Sequence, residues 1–242
     1  MQKIITYFSV ALFIGIAVYI FYIVVTGRGE TVLPQSIDNY QVKGVDVSSH
    51  NGDIDFDMLA SQGIEFVYIK GTEGTDFKDN RFHSNYRRAT AAGLKVGMYH
   101  FFRFDTPGYM QALNVINSLR GKKPELPVAI DLEEWTNPSG VTADSIAGQV
   151  GVMADMLEKQ GYKVVIYTNK DGYSRYYRNR LEKYPLWLCS FTDIDDKYSC
   201  LIWQYSHRGK LKGVERLVDL NLFTGNDSMW HEFSTPVEAS MQ

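Results

Sequence analysis

The sequence predicts an α/β fold: an irregular TIM-like barrel of five strand–helix units plus three further strands, preceded by an N-terminal transmembrane helix. From Val42 onward, short apolar runs alternate with amphipathic stretches of helical length. Several of these stretches end at a glycine, as a left-handed C-terminal cap requires. The last third keeps its apolar runs but joins them by short connections, which indicates a barrel that becomes irregular towards its end.

Each element is assigned from its local pattern. Strands are predicted where apolar, β-branched or aromatic residues form a short run bounded by turn-forming or charged residues. These strands are 43–47, 66–70, 95–102, 128–132, 163–168, 186–191, 201–205 and 216–220. Helices are predicted at 55–62, 80–92, 108–119, 143–160 and 172–183. Glycine caps are expected at Gly63, Gly93, Gly121 and Gly161, and Thr142 is a candidate helix start.

Residues 4–25 form an uncharged, almost purely apolar run that is long enough to span a bilayer as a helix. A signal peptide has a shorter apolar core and a small-residue cleavage site, for which residues 25–27 are a weak candidate. We therefore predict a membrane anchor, with an uncleaved signal as the alternative reading of the same run. The predicted order is a flank at 1–3, the anchor, a linker at 26–41, one domain at 42–233 and a tail at 234–242.

Composition restricts the classes of function. The 242 residues are enough for one large domain with a sizeable core. A formal net charge of −3 and a pI of about 6.0 give no electrostatic basis for nucleic-acid binding. Aromatic residues make up 14% of the chain, which suits a sugar-binding cleft but also a large core.

The most informative stretch is the apolar run 128–130, which ends in Asp131 and Glu133. Spacing of i, i+2 on a strand places both carboxylates on one face, whereas Glu134 points the other way and is read as structural. Burial and a neighbouring carboxylate both raise a carboxyl pKa, so one acid can stay protonated beside a charged partner. Acid-catalysed cleavage of a glycosidic bond needs this pairing. A solvated acidic loop or a structural ion pair remains the alternative.

Other predicted strands also end in polar or aromatic side chains. In a strand–helix barrel, chemistry is located at the C-terminal ends of the strands. We therefore expect these side chains to meet at one rim, although each alone could be a cap or a core residue. The candidates are Asp46, His50, Glu73, Tyr99, Tyr167, Trp203, Gln204, Asp219 and Asn221.

Seven motifs occur in an order and spacing that resemble the glycoside hydrolase family 25 lysozymes, the N-acetylmuramidases of phage, bacterial and fungal origin. They include Gly44-Val-Asp-Val-Ser-Ser-His-Asn-Gly, Phe66-Val-Tyr-Ile-Lys-Gly-Thr-Glu-Gly, Gly97-Met-Tyr-His-Phe, Val128-Ala-Ile-Asp-Leu-Glu, Ile202-Trp-Gln-Tyr and Val218-Asp-Leu-Asn. The resemblance covers residues 43–223. Gly71 departs from it, since alanine is expected there, and Asn51 stands where the family often has an aromatic or another polar residue.

The resemblance implies that Glu133 is the general acid and that Asp131 stabilises positive charge or orients the substrate's N-acetyl group. Asp46 and Asp219 would complete an acidic ring, and Tyr99 and Tyr167 would lie near the bond that is cut. It implies that Trp203, Gln204 and Glu73 line the cleft, and we add His50 and Asn221 as candidate substrate contacts.

The expected function is hydrolysis of the β-1,4 bond between N-acetylmuramic acid and N-acetylglucosamine in peptidoglycan glycan strands. We expect no cofactor, no metal, a monomeric catalytic domain, and an anchored protein whose domain lies outside the cytoplasm, or a secreted one if the N-terminal segment is cleaved. The alternatives are a glycan-binding barrel without catalysis and a hydrolase of another N-acetylated glycan such as chitin. The chitin alternative is disfavoured because only D-x-E stands where that family has D-x-x-D-x-D-x-E.

The histidines and cysteines bear on packing, metal binding and a possible disulfide. His100 follows Tyr99 on a strand, so it should point away from the site and pack as a hydrogen-bonded core residue. The chain has no H-E-x-x-H zinc motif. Cys189 and Cys200 fall on neighbouring predicted strands, and the sequence leaves open whether they form a disulfide or are two buried thiols.

Overall fold

Eight strands close into a barrel in the computed structural model, which describes residues 34–237. Every neighbour pair in this ring is hydrogen-bonded, and the first strand pairs with both the second and the last. In ring order the strands are β1 (Lys43–Val47), β2 (Ile64–Glu73), β4 (Lys95–Phe101), β5 (Val128–Asp131), β6 (Val164–Asn169), β7 (Leu186–Cys189), β8 (Ile202–Gly209) and β9 (Val218–Phe223). The short strand β3 (Phe77–Lys78) forms a hairpin with the end of β2 outside the ring.

Strand direction sets which side chains reach the functional rim. The strands from β1 to β8 within the ring run parallel to their neighbours, whereas β9 is antiparallel to both β8 and β1. The N-terminal start of β9 therefore lies at the rim where the parallel strands end. As a result Asp219, near the start of β9, is directly paired with Asp46 on β1.

Helices pack around the outside of the barrel and against one end of it. They are α1 (Phe56–Ser61), α2 (Phe82–Ala91), α3 (Gly108–Leu119), α4 (Ala143–Lys159), α5 (Lys170–Gly172) and α6 (Asp227–Phe233). The Thr142 side chain accepts a hydrogen bond from the Ser145 backbone N–H at 3.3 Å, which caps α4. All four predicted cap glycines have the positive φ that a left-handed cap needs, between 75° and 83°.

The predicted helix 172–183 is wrong in its second half. Only α5 and a π-helical turn, Tyr173–Tyr177, form there. Arg178 is extended and Asn179 has φ of 64°, so the chain leaves the helix. Tyr177 donates its hydroxyl to the Tyr184 carbonyl at 2.6 Å, a buried hydrogen bond across the turn that replaces the rest of the helix. The seven-residue helix α6 was not predicted, because it is too short to show helical periodicity.

Large rings fill the inside of the barrel below the functional rim. Tyr68 packs against Trp187 with ring centroids 4.5 Å apart, and Phe66 and Phe223 lie against Trp230 of α6. Helix α6 thereby closes the end of the barrel opposite the functional rim. Two glycines on the strands make space for these rings: a Cβ at Gly44 would lie 2.3 Å from the Phe66 ring, and one at Gly97 would lie 2.4 Å from the Tyr68 ring.

The described chain begins inside the segment expected as a linker. Gln35–Asn39 form a 3₁₀ helix, and Tyr40 meets Trp203 edge to face with ring centroids 6.2 Å apart. Ser36 donates its hydroxyl to Asp193 at 2.6 Å. No helix within residues 34–237 is long and apolar enough to cross a membrane. The predicted anchor at 4–25 and residues 238–242 of the predicted tail lie outside the described residues.

Candidate active site

A cleft of about 990 Å³ opens at the rim where the parallel strands end. Seven of the residues expected at the site line it: Asp46, Tyr99, Asp131, Glu133, Tyr167, Gln204 and Asp219. Asp46 and Asp219 come from the neighbouring strands β1 and β9, whereas Asp131 and Glu133 come from β5 and the loop after it, across the ring. The other lining residues are Trp135, Asn169, Lys170, Asp171, Trp187, Cys189, Ser190, Phe191, Thr192 and His207.

A chain of hydrogen bonds fixes Asp46 at the floor of the cleft. Its Oδ2 accepts from Asn221 Nδ2 at 2.7 Å and from Gln204 Nε2 at 2.9 Å. The amide of Gln204 is oriented by the Tyr167 hydroxyl, which donates to Oε1 at 2.8 Å. The amide of Asn221 is oriented in the same way by the Trp187 indole N–H at 2.8 Å. Because both amides are held in one orientation, each presents a donor to the carboxylate.

Asp219 shares a proton with Asp46. Burial raises the pKa of Asp219 to about 8, helped by the charges of Asp46 and Glu133 and by a hydrogen bond to Asp46. Burial also raises the pKa of Asp46, but hydrogen bonds from Asn221, Gln204 and Asp219 limit that value to about 6. Because two amide N–H groups donate to Asp46 and stabilise its charged form, we expect the proton that the coupled pair holds to lie mainly on Asp219.

Asp131 and Glu133 stand together at the end of β5, across the ring from β1 and β9. Burial, followed by the charge of Glu133, raises the pKa of Asp131 well above its usual range, and Lys70 opposes this shift. Burial and the charge of Asp46 raise the pKa of Glu133. Within residues 34–237, the buried Oδ1 of Asp131 has no hydrogen-bond partner. The acids titrate as a coupled group, so the cleft carries protonated and charged carboxyls side by side near neutrality.

The backbone that carries Glu133 is held from both sides. Strand β5 ends at Asp131, and Leu132 still donates its N–H to the Tyr167 carbonyl at 2.9 Å. Thr168 donates its hydroxyl to the Leu132 carbonyl at 2.7 Å, and Asn137 donates its amide to the Glu133 carbonyl at 2.8 Å. Glu133 is therefore placed by a rigid frame although it lies beyond the last strand residue.

Four of the expected site residues do not line the cleft. Trp203 is fully buried, with its indole N–H donated to the Ser190 carbonyl at 2.7 Å. It neighbours Gln204 on β8, and because side chains alternate along a strand, only one of the two can face the cleft. Asn221 is buried beneath the cleft and acts on it through Asp46.

The other two lie away from the cleft wall. Glu73 is paired with Lys70 at 3.0 Å and lies 3.9 Å from Arg103. His50 belongs to the exposed 3₁₀ turn Ser49–Asn51, with Nδ1 3.3 Å from the Ser48 hydroxyl. Asn51 closes the same turn by accepting from the Ser48 N–H at 2.8 Å. These contacts are structural ones within the chain.

Gly71, the other departure from the expected motif, leaves space for Met98. A Cβ at Gly71 would lie 2.2 Å from the end of the Met98 side chain. His100 packs as predicted: it is fully buried on the helix side, 2.7 Å from the Thr72 hydroxyl and 2.9 Å from Gln111 Oε1. Burial lowers the pKa of His100 to about 4, so it is neutral.

The two cysteines are free thiols. Cys189 is paired with Gln204 across β7 and β8, while Cys200 precedes Gln204 by four residues. At about 3.3 Å per strand residue this separates the cysteines by roughly 13 Å, which is too far for a disulfide. Burial raises the pKa of Cys189 to about 12, so its thiol stays protonated in the cleft.

Asn169 lines the cleft but is not among the site residues predicted from the sequence. Its Oδ1 accepts the Gly172 N–H at 2.9 Å and caps α5, which leaves its amide N–H₂ to hydrogen-bond Glu133. Its position at the end of β6 could have identified it, because the functional residues of such a barrel lie at the ends of its strands. Trp187 and Trp135 also line the cleft without having been selected.

Replacing Asn169 with serine is expected to move the alkaline limb of the pH–activity profile to higher pH. The Asn169 amide favours the charged form of Glu133 and so lowers its pKa, against burial and Asp46. Removing that donor raises the pKa, and a general acid then stays protonated to higher pH. Serine keeps the helix cap.

The check is the initial rate of the expected hydrolysis across pH, with Asn169→Asp as a second variant. A carboxylate beside Glu133 should displace the alkaline limb in the same direction and further. A limb that stays in place or moves to lower pH in both variants would rule out this role for Asn169.

Among residues 34–237, no group of three or more His, Cys, Asp or Glu side chains is placed to hold a metal ion.

Comparisons with known proteins agree on one family. The model of the family described as "Glycosyl hydrolases family 25" matches residues 45–214. The autolytic lysozyme of Clostridium acetobutylicum is 33% identical over 187 residues, which are 76% of this chain and 56% of that protein. Lysozyme M1 of Streptomyces globisporus is 33% identical over 208 residues, 78% of this chain and 70% of that protein.

Among solved structures, a family 25 glycosyl hydrolase from Bacillus anthracis has a TM-score of 0.76 and 35% identity, covering 84% of this chain and 98% of that one. The chain thus spans little more than half the length of the clostridial relative but nearly all of the Bacillus structure.

Proposed function

This chain belongs to glycosyl hydrolase family 25, and from that premise we propose that it is a muramidase. It hydrolyses peptidoglycan glycan strands at the β-1,4 bond between N-acetylmuramic acid and N-acetylglucosamine. The observation that carries the proposal is the meeting of Asp46, Asp131, Glu133 and Asp219 in one cleft, with the pKa of each carboxyl raised. Such crowding keeps a proton available for the leaving group.

In the proposed reaction Glu133 donates its proton to the glycosidic oxygen. Glu133 is the acid because it projects into the cleft from a rigid loop, whereas the proton of Asp219 is held in its hydrogen bond to Asp46. As the bond breaks, positive charge develops on the sugar ring, and the negative charge of the acid cluster, which includes the Asp46 carboxylate, stabilises it.

Asp131 is suited to the N-acetyl group of the substrate. Its Oδ1 is buried at the cleft and has no partner within the described residues. An unpaired buried acceptor is costly, and an acetamido N–H would satisfy it. Asp131 then holds the acetamido group so that its carbonyl oxygen can assist at the anomeric carbon, or stabilises the positive charge directly.

We place the domain outside the cytoplasm, because its substrate is the cell wall. Residues 4–25 would anchor it to the membrane, on the strength of their uncharged apolar run, and cleavage after that run would release it.

Product analysis tests the proposed bond. The full-length chain, purified in mild detergent, is incubated with purified peptidoglycan and the released fragments are analysed by mass spectrometry after borohydride reduction. Fragments ending in reduced muramic acid are expected. Fragments ending in reduced glucosamine would reject the muramidase assignment, and glycan binding without any release would point to a non-catalytic barrel.

A further inference from the structure

The indole ring of Trp135 is unusually exposed to solvent at the cleft. It is 76% exposed, the largest fraction among the exposed large apolar side chains that the structure describes between residues 34 and 237. It also lines the cleft, two residues after Glu133. An indole that stays in water does not gain the free energy of burial. An exposed ring beside the acid pair therefore indicates a ligand that covers it when bound.

The loop that carries Trp135 is fixed on one side by strand β4 and the residues after it. Arg103 donates Nη1 to the Thr136 carbonyl at 2.9 Å, and Asn137 donates its amide to the Phe102 carbonyl at 2.9 Å. Thr136 has φ of 59°, a left-handed conformation that is strained for a β-branched residue. The tertiary contacts therefore hold the loop in a shape that the local sequence does not favour.

The other side of the loop is tied to the π-helical turn. Glu134 accepts a hydrogen bond from the Tyr176 hydroxyl at 2.6 Å and pairs with Arg175. The Glu134 side chain thus points away from the cleft, as predicted for a residue with a structural role. With Glu134 and Thr136 both held, the backbone of Trp135 between them has little freedom, and the ring is offered at a defined place.

A second exposed aromatic ring, that of Phe191, lines the same cleft. Phe191 is 45% exposed, lines the cleft and is backed by His207, with ring centroids 4.4 Å apart. Open aromatic faces alternating with carboxylates suit a ligand that has apolar C–H faces and hydroxyl or amide edges. Pyranose rings have both, whereas the acidic floor repels phosphate-bearing ligands.

We infer that Trp135 is a stacking platform for a sugar ring next to the bond that is cut, and that it makes the enzyme depend on an extended glycan strand. This inference rests on the proposed function, since it names what the same cleft holds beyond the reacting bond. Trp135 contributes to binding and leaves proton transfer to Glu133.

Tryptophan fluorescence gives a direct test. Trp203 is buried away from the cleft, and Trp230 packs on Phe66 at the other end of the barrel. Trp187 lines the cleft but is only 2% exposed, so Trp135 is the tryptophan whose ring a bound glycan would cover, and the Trp135→Phe variant separates its emission from that of Trp187. Full-length Glu133→Gln protein is titrated with a peptide-free tetrasaccharide of alternating N-acetylglucosamine and N-acetylmuramic acid. We expect a saturable blue shift of emission. Adding Trp135→Phe should abolish that shift with little change in Kd.

The affinity arm uses Trp135→Ala in the same background, followed by equilibrium dialysis with labelled tetrasaccharide. Loss of the stacked ring is expected to weaken Kd about tenfold. The matched control is Tyr109→Ala, which removes a ring that is 50% exposed on α3 and outside the cleft, and Kd should not change. Equal affinity for the Trp135→Ala and parent proteins, with no spectral shift, would overturn the inference.

Two outcomes separate this inference from the proposed function. If the wild-type chain releases no fragments from peptidoglycan but the tetrasaccharide shifts Trp135 emission, the hydrolase proposal fails and the platform stands. If fragments are released while Trp135→Ala keeps the parent Kd and KM, only the platform is rejected.

Discussion

The Glu133→Gln variant is expected to lose about 10²–10⁴-fold in kcat for peptidoglycan hydrolysis while folding normally. Glutamine has the size of glutamate and can still accept the Asn169 hydrogen bond, so the cleft keeps its shape. It carries no acidic proton, and the leaving oxygen must then depart without protonation. The measurements are the rate of reducing-end release and a thermal unfolding curve of the same preparation.

Asp219→Asn is the control that distinguishes the two carboxyls able to hold a proton. The pKa of Asp219 is raised to about 8, so its proton alone could suggest that it is the acid. Asparagine can still donate a hydrogen bond to Asp46, and we therefore expect a smaller loss than for Glu133→Gln. A larger loss for Asp219→Asn, with Glu133→Gln still active, would transfer the role of general acid to Asp219.

Trp187→Ala is expected to lower the free energy of unfolding by about 3–5 kcal/mol, a large part of the stability of a typical domain. The Trp187 side chain is 2% exposed and packs against Tyr68 and Tyr167, with ring centroids at 4.5 and 4.8 Å. Truncation leaves a cavity inside the barrel and leaves Asn221 Oδ1 without its indole donor. Urea denaturation followed by circular dichroism measures the change.

Trp135→Ala is the matched control, because it removes the same side chain from a position that is 76% exposed. Its free energy of unfolding should stay within about 0.5 kcal/mol of wild type. Trp187→Phe should fall between the two, since it keeps a ring in the barrel but loses the hydrogen bond to Asn221. Equal destabilisation by the two alanine variants would contradict the packing role assigned to Trp187.

Local pattern was sufficient for most of the secondary structure. The strand Lys43–Val47 and the helix Gly108–Leu119 were predicted with the bounds that the structure has. Both are determined by nearest neighbours: alternation or a continuous apolar run for strands, helical periodicity and capping for helices. The same holds for the acids that follow β5, which stand out because charge rarely ends a buried strand.

Contacts between distant residues decided the rest. The sequence does not reveal that β9 runs against its neighbours, and this reversal is what brings Asp219 to Asp46. It also does not reveal which of Trp203 and Gln204 faces the cleft, because alternation fixes only that they differ. In the helix expected at 172–183, the tyrosines of the π-helical turn contact distant residues: Tyr176 donates its hydroxyl to Glu134, and Tyr173 donates to the Lys197 carbonyl.

The order of the elements, the barrel class and the acid pair at Asp131 and Glu133 could be predicted from the sequence, because each is visible in residues close along the chain. The hydrogen bond from Asn169 to the proposed acid and the exposure of Trp135 at the cleft became known from the fold alone. A side chain's partners and its exposure depend on which distant strands and loops the closed barrel brings beside it.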